Sequence, residues 1–362
     1  MTLAVNIAQG ASNNVTFRNR IINGACVIDQ RNAGASVTPN NSYTLDRWQA
    51  QNSQTSKYTV QQNAGSVTPP TGFSYYLGVT SSSAYTVLTG DYFMLVQSIE
   101  GYNFSDMAWG TSSAATVTLS FWVRSSLTGT FGGSLRNSAS SRSYPFSYTI
   151  SAANTWEQKS ITITGDTTGT WIGATNGIGV NVFFGLGVGA TFSGTAGSWS
   201  ANNYVSATGA TSVVGTSGAT FYITGVQLEA GTTASPFEYR QYGTELQLCQ
   251  RYYQILQGNQ AVLGAGMMNS TTAIEAVYMG GVPMRAAPTV ACSSSASNAL
   301  QIRGNNSTSD VTGSTFSASW IASPPQAVSF RFNATANVAS FGSGQGCVIA
   351  TQTGAITLNG EL

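Results

Sequence analysis

Apolar and polar residues alternate through one short run after another of this chain: SKYTVQQ, YYLGVT, YFMLVQSI, TVTLSFWVRS, PFSYTIS, EQKSITIT, GVNVFFGLGV and TFYITGVQLE. A two-residue period puts successive side chains on opposite sides of an extended backbone, so each run offers one face to a core and the other to solvent. Turn-forming stretches separate the runs, among them PPTG at Pro69 to Gly72, GDTTGTW from Gly165 and FSGTAGSWS from Phe192. Glycine supplies positive φ there, proline presets the first turn residue, and Asn, Asp and Ser bond their own backbone. Helical runs long enough for βαβ crossovers are missing, which leaves antiparallel strands in a sandwich or jelly roll. No fixed-period repeat marks a solenoid or β-helix.

The length, 362 residues, predicts more than one domain. Residues 1–15 carry little patterning and read as an N-terminal attachment arm. Residues 16–240 read as an all-β jelly-roll β-sandwich. Its last strand ends near Glu229, and Gly231, Pro236 and small polar residues then mark a crossing between domains. Residues 241–362 form a smaller C-terminal β-sandwich-like domain, an oligomerisation or tip domain, opened by one short helix. In GTELQLCQRYYQIL, residues Leu246, Cys249, Tyr253 and Leu256 fall on one helical face, with Thr244 and Gln247 spaced as a capping box. Strand patterns then return in AIEAVYMGG, TVACSSS, LQIRG, TFSASWI, AVSFRFNA, GCVIATQ and AITLN.

Composition excludes several functions. Only 7% of residues are charged, against about 25% in an average domain, so solubility rests on hydroxyls and amides. The net charge is +1 and the basic residues are scattered, which gives no footprint for nucleic acid. No apolar run reaches the length of a membrane helix, and MTLAVNIAQG lacks the regions of a signal peptide. With no histidine, Ser-His-Asp, Cys-His and His-metal sites are excluded. Glycoside cleavage needs only two carboxylates, which brings Asp91, Glu100, Asp106, Glu157 and Asp166 into view. None lies in a distinctive acid motif, and Asp166 in ITGDTTG reads as a turn residue, so the expectation is a protein without catalysis. Cys26, Cys249, Cys292 and Cys347 form no CxxC pair and read as buried thiols rather than metal ligands. No cofactor is implied.

Seven segments in order carry a family resemblance: INGACVIDQRNAG (22–34), LDRW (45–48), LSFWVRSSLTGTF (119–131), NTWEQKSITITGDTTGTW (154–171), FYITGVQLEAG (221–231), ELQLCQRYY (245–253) and PMRAAPTV (283–290). Together they resemble the tail-fibre-like and surface-appendage proteins of bacteriophage particles. Residues 20–230 are also similar to jelly-roll carbohydrate-binding modules, in the NG-containing opening strand, the LSFWV strand, the Trp strand before TIT and the closing FYITGVQLE. The resemblance implies a virion structural protein assembled in the host bacterial cytoplasm, held to another virion protein through the arm, trimeric, and able to meet a host surface glycan. Two alternatives stay open: a capsid decoration protein, and a polysaccharide-trimming depolymerase. Those modules often carry an acidic residue for a structural calcium in the opening segment; here it reads NGACVID, with Asp29 the acid at hand, and no metal is expected.

The aromatic residues sort into two groups. Trp48, Phe121, Trp122 and Trp156 lie in apolar strand patterns and are expected in the core. Tyr75, Tyr76, Tyr102, Trp109, Trp171, Trp199 and Tyr204 adjoin turns rich in Gly, Ser and Asn, where flat rings could stack on sugar faces while amides and hydroxyls meet the sugar's hydroxyls. Glu245, Arg251 and Arg285 are the charges expected at subunit contacts.

Overall fold

The computed structural model describes residues 17–257, 262–268, 273–278, 281–292, 300–304, 307–310, 317–320, 328–333, 346–351 and 355–362. The expected arm, residues 1–15, lies outside them. The described chain is antiparallel β-sheet with one α-helix, as the alternation predicts. It divides between Gln241 and Tyr242 into two compact units.

The first unit holds β1 (Ser42–Leu45), β2 (Trp48–Asn52), β3 (Tyr58–Gln62), β4 (Leu77–Ser81), β5 (Tyr92–Glu100), β6 (Val117–Ser125), β7 (Gly129–Arg136), β8 (Ser143–Ile150), β9 (Glu157–Ile163), β10 (Ile178–Val188), β11 (Ser193–Gly194), β12 (Ser206–Ala207) and β13 (Thr220–Ala230). One sheet runs β1-β2-β5-β10-β7-β8 and the other β3-β4-β13-β6-β9, while β11 and β12 form a small parallel pair. Rings from the two sheets meet between them: Phe121 lies 5.1 Å from Phe184 and 5.0 Å from Tyr148, and Phe131 lies 6.0 Å from Phe221. Phe121 and Trp48 are fully buried, as expected. On the other side of the six-stranded sheet Met94, Val96 and Phe183 are buried under Val205 and Phe192 of the segment that follows β10.

The opening motifs have a definite job. Asn23 sits at φ 58°, and its side chain donates to the carbonyls of Ile28 (2.8 Å) and Asp46 (3.0 Å) while accepting the Ile28 N–H (3.0 Å). Trp48 donates its indole N–H to the Asn23 carbonyl at 3.0 Å, so the NG and LDRW segments are one hydrogen-bonded unit. Gly24 is required by close approach: a Cβ there would lie 2.2 Å from the Val226 carbonyl oxygen. Asp46 and Arg47 form the turn between β1 and β2, yet both are buried, Asp46 on Gln30 and Arg47 on the Ser98 carbonyl. Asp29 uses its two oxygens to accept the N–H groups of Asn32 (3.0 Å) and Gly34 (2.7 Å), closing the turn after the motif.

Cys26 follows on this unit and is completely buried. Burial pushes its thiol up to about 12, and thiolate is the reactive form. Native protein treated with iodoacetamide at about pH 8.5, where an exposed thiol is half ionised, should therefore leave Cys26 unmodified, whereas denatured protein should be fully modified there. Mass spectrometry of the Cys26 peptide reads the difference; rapid native labelling would contradict the buried placement.

The second unit opens with α1 (Tyr242–Gln250) and continues through β14 (Tyr253–Gln257), β15 (Val262–Met268), β16 (Ala273–Tyr278), β17 (Thr289–Cys292), β18 (Leu300–Gly304), β19 (Ser307–Asp310), β20 (Ser317–Trp320), β21 (Val328–Asn333), β22 (Gly346–Thr351) and β23 (Ala355–Asn359). Its sheets run β14-β23-β17 and β19-β18-β22-β15-β16-β21-β20. The helix is shorter than its apolar face predicts. It stops at Gln250, and Tyr253 pairs with Asn359 in a ladder that also takes Leu256, so these two residues belong to a strand. The helix also starts at Tyr242, which places Thr244 inside the first turn rather than at the cap. Cys249 is buried, while the side chains of Cys292 and Cys347 lie outside the described ones.

Candidate functional site

Four of the seven loop aromatics come together at one end of the first unit. Register fixes which end: Glu100 closes β5 opposite Ile178, Val117 opens β6 opposite Ile163, and Arg136 closes β7 opposite Ser143. The loops 101–116, 137–142 and 164–177 therefore emerge together. The first and last are joined through their backbones, Gly101 N–H to Gly177 O at 2.8 Å, Tyr102 N–H to Thr175 O at 3.1 Å and Gly110 N–H to Asp166 O at 2.7 Å. Only glycine allows this closeness, since a Cβ on Gly101 would lie 2.7 Å from the Ile172 carbonyl oxygen.

Trp109, Trp171 and Trp199 form a triad of edge-to-face rings. Their centroids are 4.8 Å apart for Trp109 and Trp171, 5.1 Å for Trp109 and Trp199, and 5.5 Å for Trp171 and Trp199, with interplanar angles of 83°, 83° and 79°. This is the geometry in which the positive ring edge meets a negative face. Phe104 adds a ring 4.8 Å from Trp109, and Tyr144 one 5.2 Å from Trp199. Every indole N–H is used inside the chain: Trp109 donates to Ala115 O (2.8 Å), Trp199 to Thr164 O (2.8 Å), and Trp171 to Asp166 Oδ2 and Thr168 O (both 3.2 Å).

Asp166 anchors the cluster and is itself 2% exposed. Arg142 grips it with two parallel bonds, Nε to Oδ2 at 2.8 Å and Nη2 to Oδ1 at 2.7 Å, and the Thr168 N–H and hydroxyl add donors at 3.2 and 3.1 Å. Burial alone would raise the Asp166 carboxyl; Arg142 and Thr168 outweigh it and hold it below the ordinary carboxylate range. The Arg142 guanidinium also stands 6.0 Å over the Trp199 ring. In the sequence Asp166 has the look of a turn residue, and Arg142 and Tyr144 carry no signal, because nothing in GDTTG announces a buried charge.

The expected ligand contacts divide accordingly. Tyr102 is 58% exposed, and Trp171 and Trp199 are half-buried, so each presents ring surface at this end. Trp109 is 6% exposed and is the support beneath them, not a stacking face. Tyr76 is fully buried: its hydroxyl donates to Ala64 O at 2.6 Å and its ring lies against Trp156 and Tyr222. Tyr75 packs against the core beside Thr224, and Tyr204 packs on Gly194, so these three are not part of the cluster. Trp122 and Trp156 are half-buried rather than core. For Trp122 the signal was present, because in LSFWVRS the inward residues are Leu119, Phe121 and Val123, and period two sends Trp122 to the opposite face.

The charges expected at subunit contacts are partly buried. Arg285 donates from Nε to Gly360 O (2.9 Å) and from Nη2 to Glu361 O (2.8 Å), which gives its fork an intrachain role holding the residues after β23. Arg251 is tied in through its backbone, its N–H to Gln247 O and its carbonyl accepting the Arg285 N–H. Glu245 lies in the first turn of α1, where a negative charge suits the helix dipole.

The carboxylates considered for catalysis are held by their own chain. Asp91 accepts from the Ser53 hydroxyl (2.8 Å), the Tyr85 hydroxyl (2.8 Å) and the Leu88 N–H (2.9 Å). Glu157 is bound by Lys159 at 2.6 Å and by two backbone N–H groups, Asp106 pairs with Arg20, and Glu100 is buried. Among the described residues no three Asp, Glu or Cys side chains gather as metal ligands would.

No protein-family model and no curated protein matches the chain in sequence. Among solved structures it is similar to the enzymatically active domain of bacteriophage CBA120 tailspike protein 4, at 14% identity and a TM-score of 0.32, over 60% of this chain and 22% of that one. It is also similar to a putative sugar binding protein from Bacteroides thetaiotaomicron, at 12% identity and a TM-score of 0.35 over 59% and 100% of the two chains. The family 11 carbohydrate-binding module from Clostridium thermocellum matches at 13% identity and a TM-score of 0.28 over 55% and 98%.

Proposed function

We propose that this chain is a non-enzymatic appendage protein of a bacteriophage particle that binds a host surface glycan through the tryptophan end of its first unit. One observation carries the binding site: the half-buried rings of Trp171 and Trp199, packed on the buried Trp109, lie at the end of the sandwich that also presents the exposed Tyr102. Rings already packed edge to face and tied by their indole N–H groups lose little freedom on stacking against a sugar, and the surrounding Ser, Thr and Asn groups suit its hydroxyls. The engagement of the candidate carboxylates supports binding rather than cleavage, and the order of the seven sequence segments supports the virion setting. A homotrimer repeated on one particle would turn sites of roughly millimolar affinity into stable adhesion, since linkage adds about 10²- to 10⁴-fold.

The test uses the intact oligomer on host cells or a glycan array. Trp171→Ala and Tyr102→Ala should each lower binding at least several-fold while the protein stays folded by circular dichroism. Full binding by both variants would remove this end of the sandwich as the receptor site.

A further inference from the structure

A second feature at the same end points to a ligand of different chemistry. A cleft of about 720 Å³ lies between Arg18 and Arg20, the Asp106 turn and the segment from Glu229 to Pro236, a size common for small-ligand sites. Four of its eleven lining residues are charged, in a chain where charged residues are 7% of the whole. Most of its wall is fixed. Glu238 accepts the N–H groups of Phe17 (2.6 Å) and Asn19 (2.9 Å), and the Arg20 N–H binds Leu228 O at 2.8 Å. Arg18 donates to Pro236 O at 2.6 Å, and Glu229 is occupied by the Ser235 N–H and hydroxyl at 2.8 and 2.5 Å.

Arg20 is the exception. Its Nη2 meets one oxygen of Asp106 at 2.5 Å, while its Nε is buried with no acceptor among the described residues. Arg142 shows what the same edge of a guanidinium does when it is filled, with Nε and Nη2 each bound to an oxygen of Asp166. The Arg20 edge is half-filled, by a carboxylate whose side chain is 54% exposed. An exposed ion pair of this kind contributes little to stability, so exchanging Asp106 for another carboxylate costs little, and a bidentate carboxylate would engage both N–H groups. Thr232, Thr233 and Ser235 supply hydroxyls along the rest of the cleft.

We infer that this cleft binds a carboxylate-bearing sugar unit, a uronic acid or similar, whose carboxylate takes the Nε–Nη2 edge of Arg20 in place of Asp106. The inference rests on the proposed glycan role and names an acidic residue of that polymer at a site separate from the tryptophans. Calorimetric titration of the full chain with a β-1,4-linked glucuronic acid tetramer, and with cellotetraose as the same backbone lacking carboxylates, tests it. The acidic tetramer should bind at least ten-fold tighter than cellotetraose. Arg20→Gln should remove that preference. Asp106→Asn should strengthen binding of the acidic tetramer several-fold, because the competing carboxylate is gone; this gain cannot come from misfolding. Equal affinity for the two tetramers, no binding of the acidic one, or an Asp106→Asn variant that binds more weakly would overturn the inference. Loss of cell binding in Trp171→Ala reports on the other site alone, so the two readings fail separately.

Discussion

Arg142→Ala should destabilise the first unit by about 3 kcal/mol, the lower end of what removing one member of a buried ion pair costs. Asp166 is 2% exposed, and among the described residues the variant leaves its charge with Thr168 and the Trp171 indole as donors. The lower end applies because the Arg142 side chain is itself 19% exposed, so water can enter where it stood. Urea titration should show the midpoint falling with an unchanged slope. The pH dependence has a definite sign. In the wild type the Asp166 carboxyl is held below its unfolded value, so its contribution is fully present above about pH 4 and is lost as pH falls through the lowered value. Without Arg142 the largest contribution opposing burial is gone and the carboxyl is lowered less, so acid unfolding should begin at higher pH than in the wild type. A variant with wild-type stability and an unchanged acid transition would show that the pair is not closed in solution.

Most of the sheet framework was legible because burial in a sandwich writes itself into a two-residue period. β6 and β13 are plain in LSFWVRS and FYITGVQLE, where one face is apolar throughout. β7 was not legible. Its sequence GTFGGSLR is not among the alternating runs, because three glycines mask the period, and two of them are there for space: a Cβ on Gly133 would lie 2.2 Å from the Phe183 carbonyl oxygen and 2.4 Å from the Phe146 ring, and one on Gly132 would meet Ser206 at 2.5 Å. The helix was overextended for a related reason, since Tyr253 and Leu256 satisfy a helical period and a strand equally well over so short a run. Their pairing with β23, about a hundred residues away, decided the matter.

The site was legible in its residue types and not in its arrangement. Aromatics beside Gly, Ser and Asn identify loops, but the sequence has no local sign of which loops share an end of the sandwich. That depends on strand register, which places Tyr102, Trp109, Trp171 and Trp199 together and leaves Tyr75, Tyr76 and Tyr204 elsewhere. Nor does it distinguish the ring that supports from the rings that show. Trp109 follows the Ser105–Met107 turn, whose Met107 is buried, and the turn draws Trp109 inward with it.

Trp109→Ala should therefore behave unlike Trp171→Ala, although the two residues look alike in sequence. Trp109 is 6% exposed and touches Phe104, Trp171 and Trp199 within 5.1 Å between ring centroids. Removing a buried ring of this size leaves a cavity and costs about 3–5 kcal/mol; at about 2–4 °C per kcal/mol the melting temperature should drop by roughly 6–20 °C. Trp171→Ala removes a half-buried ring from the edge of the same cluster and should cost less than half as much. The effects of Trp109→Ala and Arg142→Ala should not add, because both act through Trp171 and Trp199. Differential scanning calorimetry of the two single variants and the double variant measures all of this together. If Trp109→Ala melted within a degree or two of the wild type, Trp109 would not be the buried hub, and the support given to the half-buried rings of Trp171 and Trp199 would have to come from elsewhere in the loops.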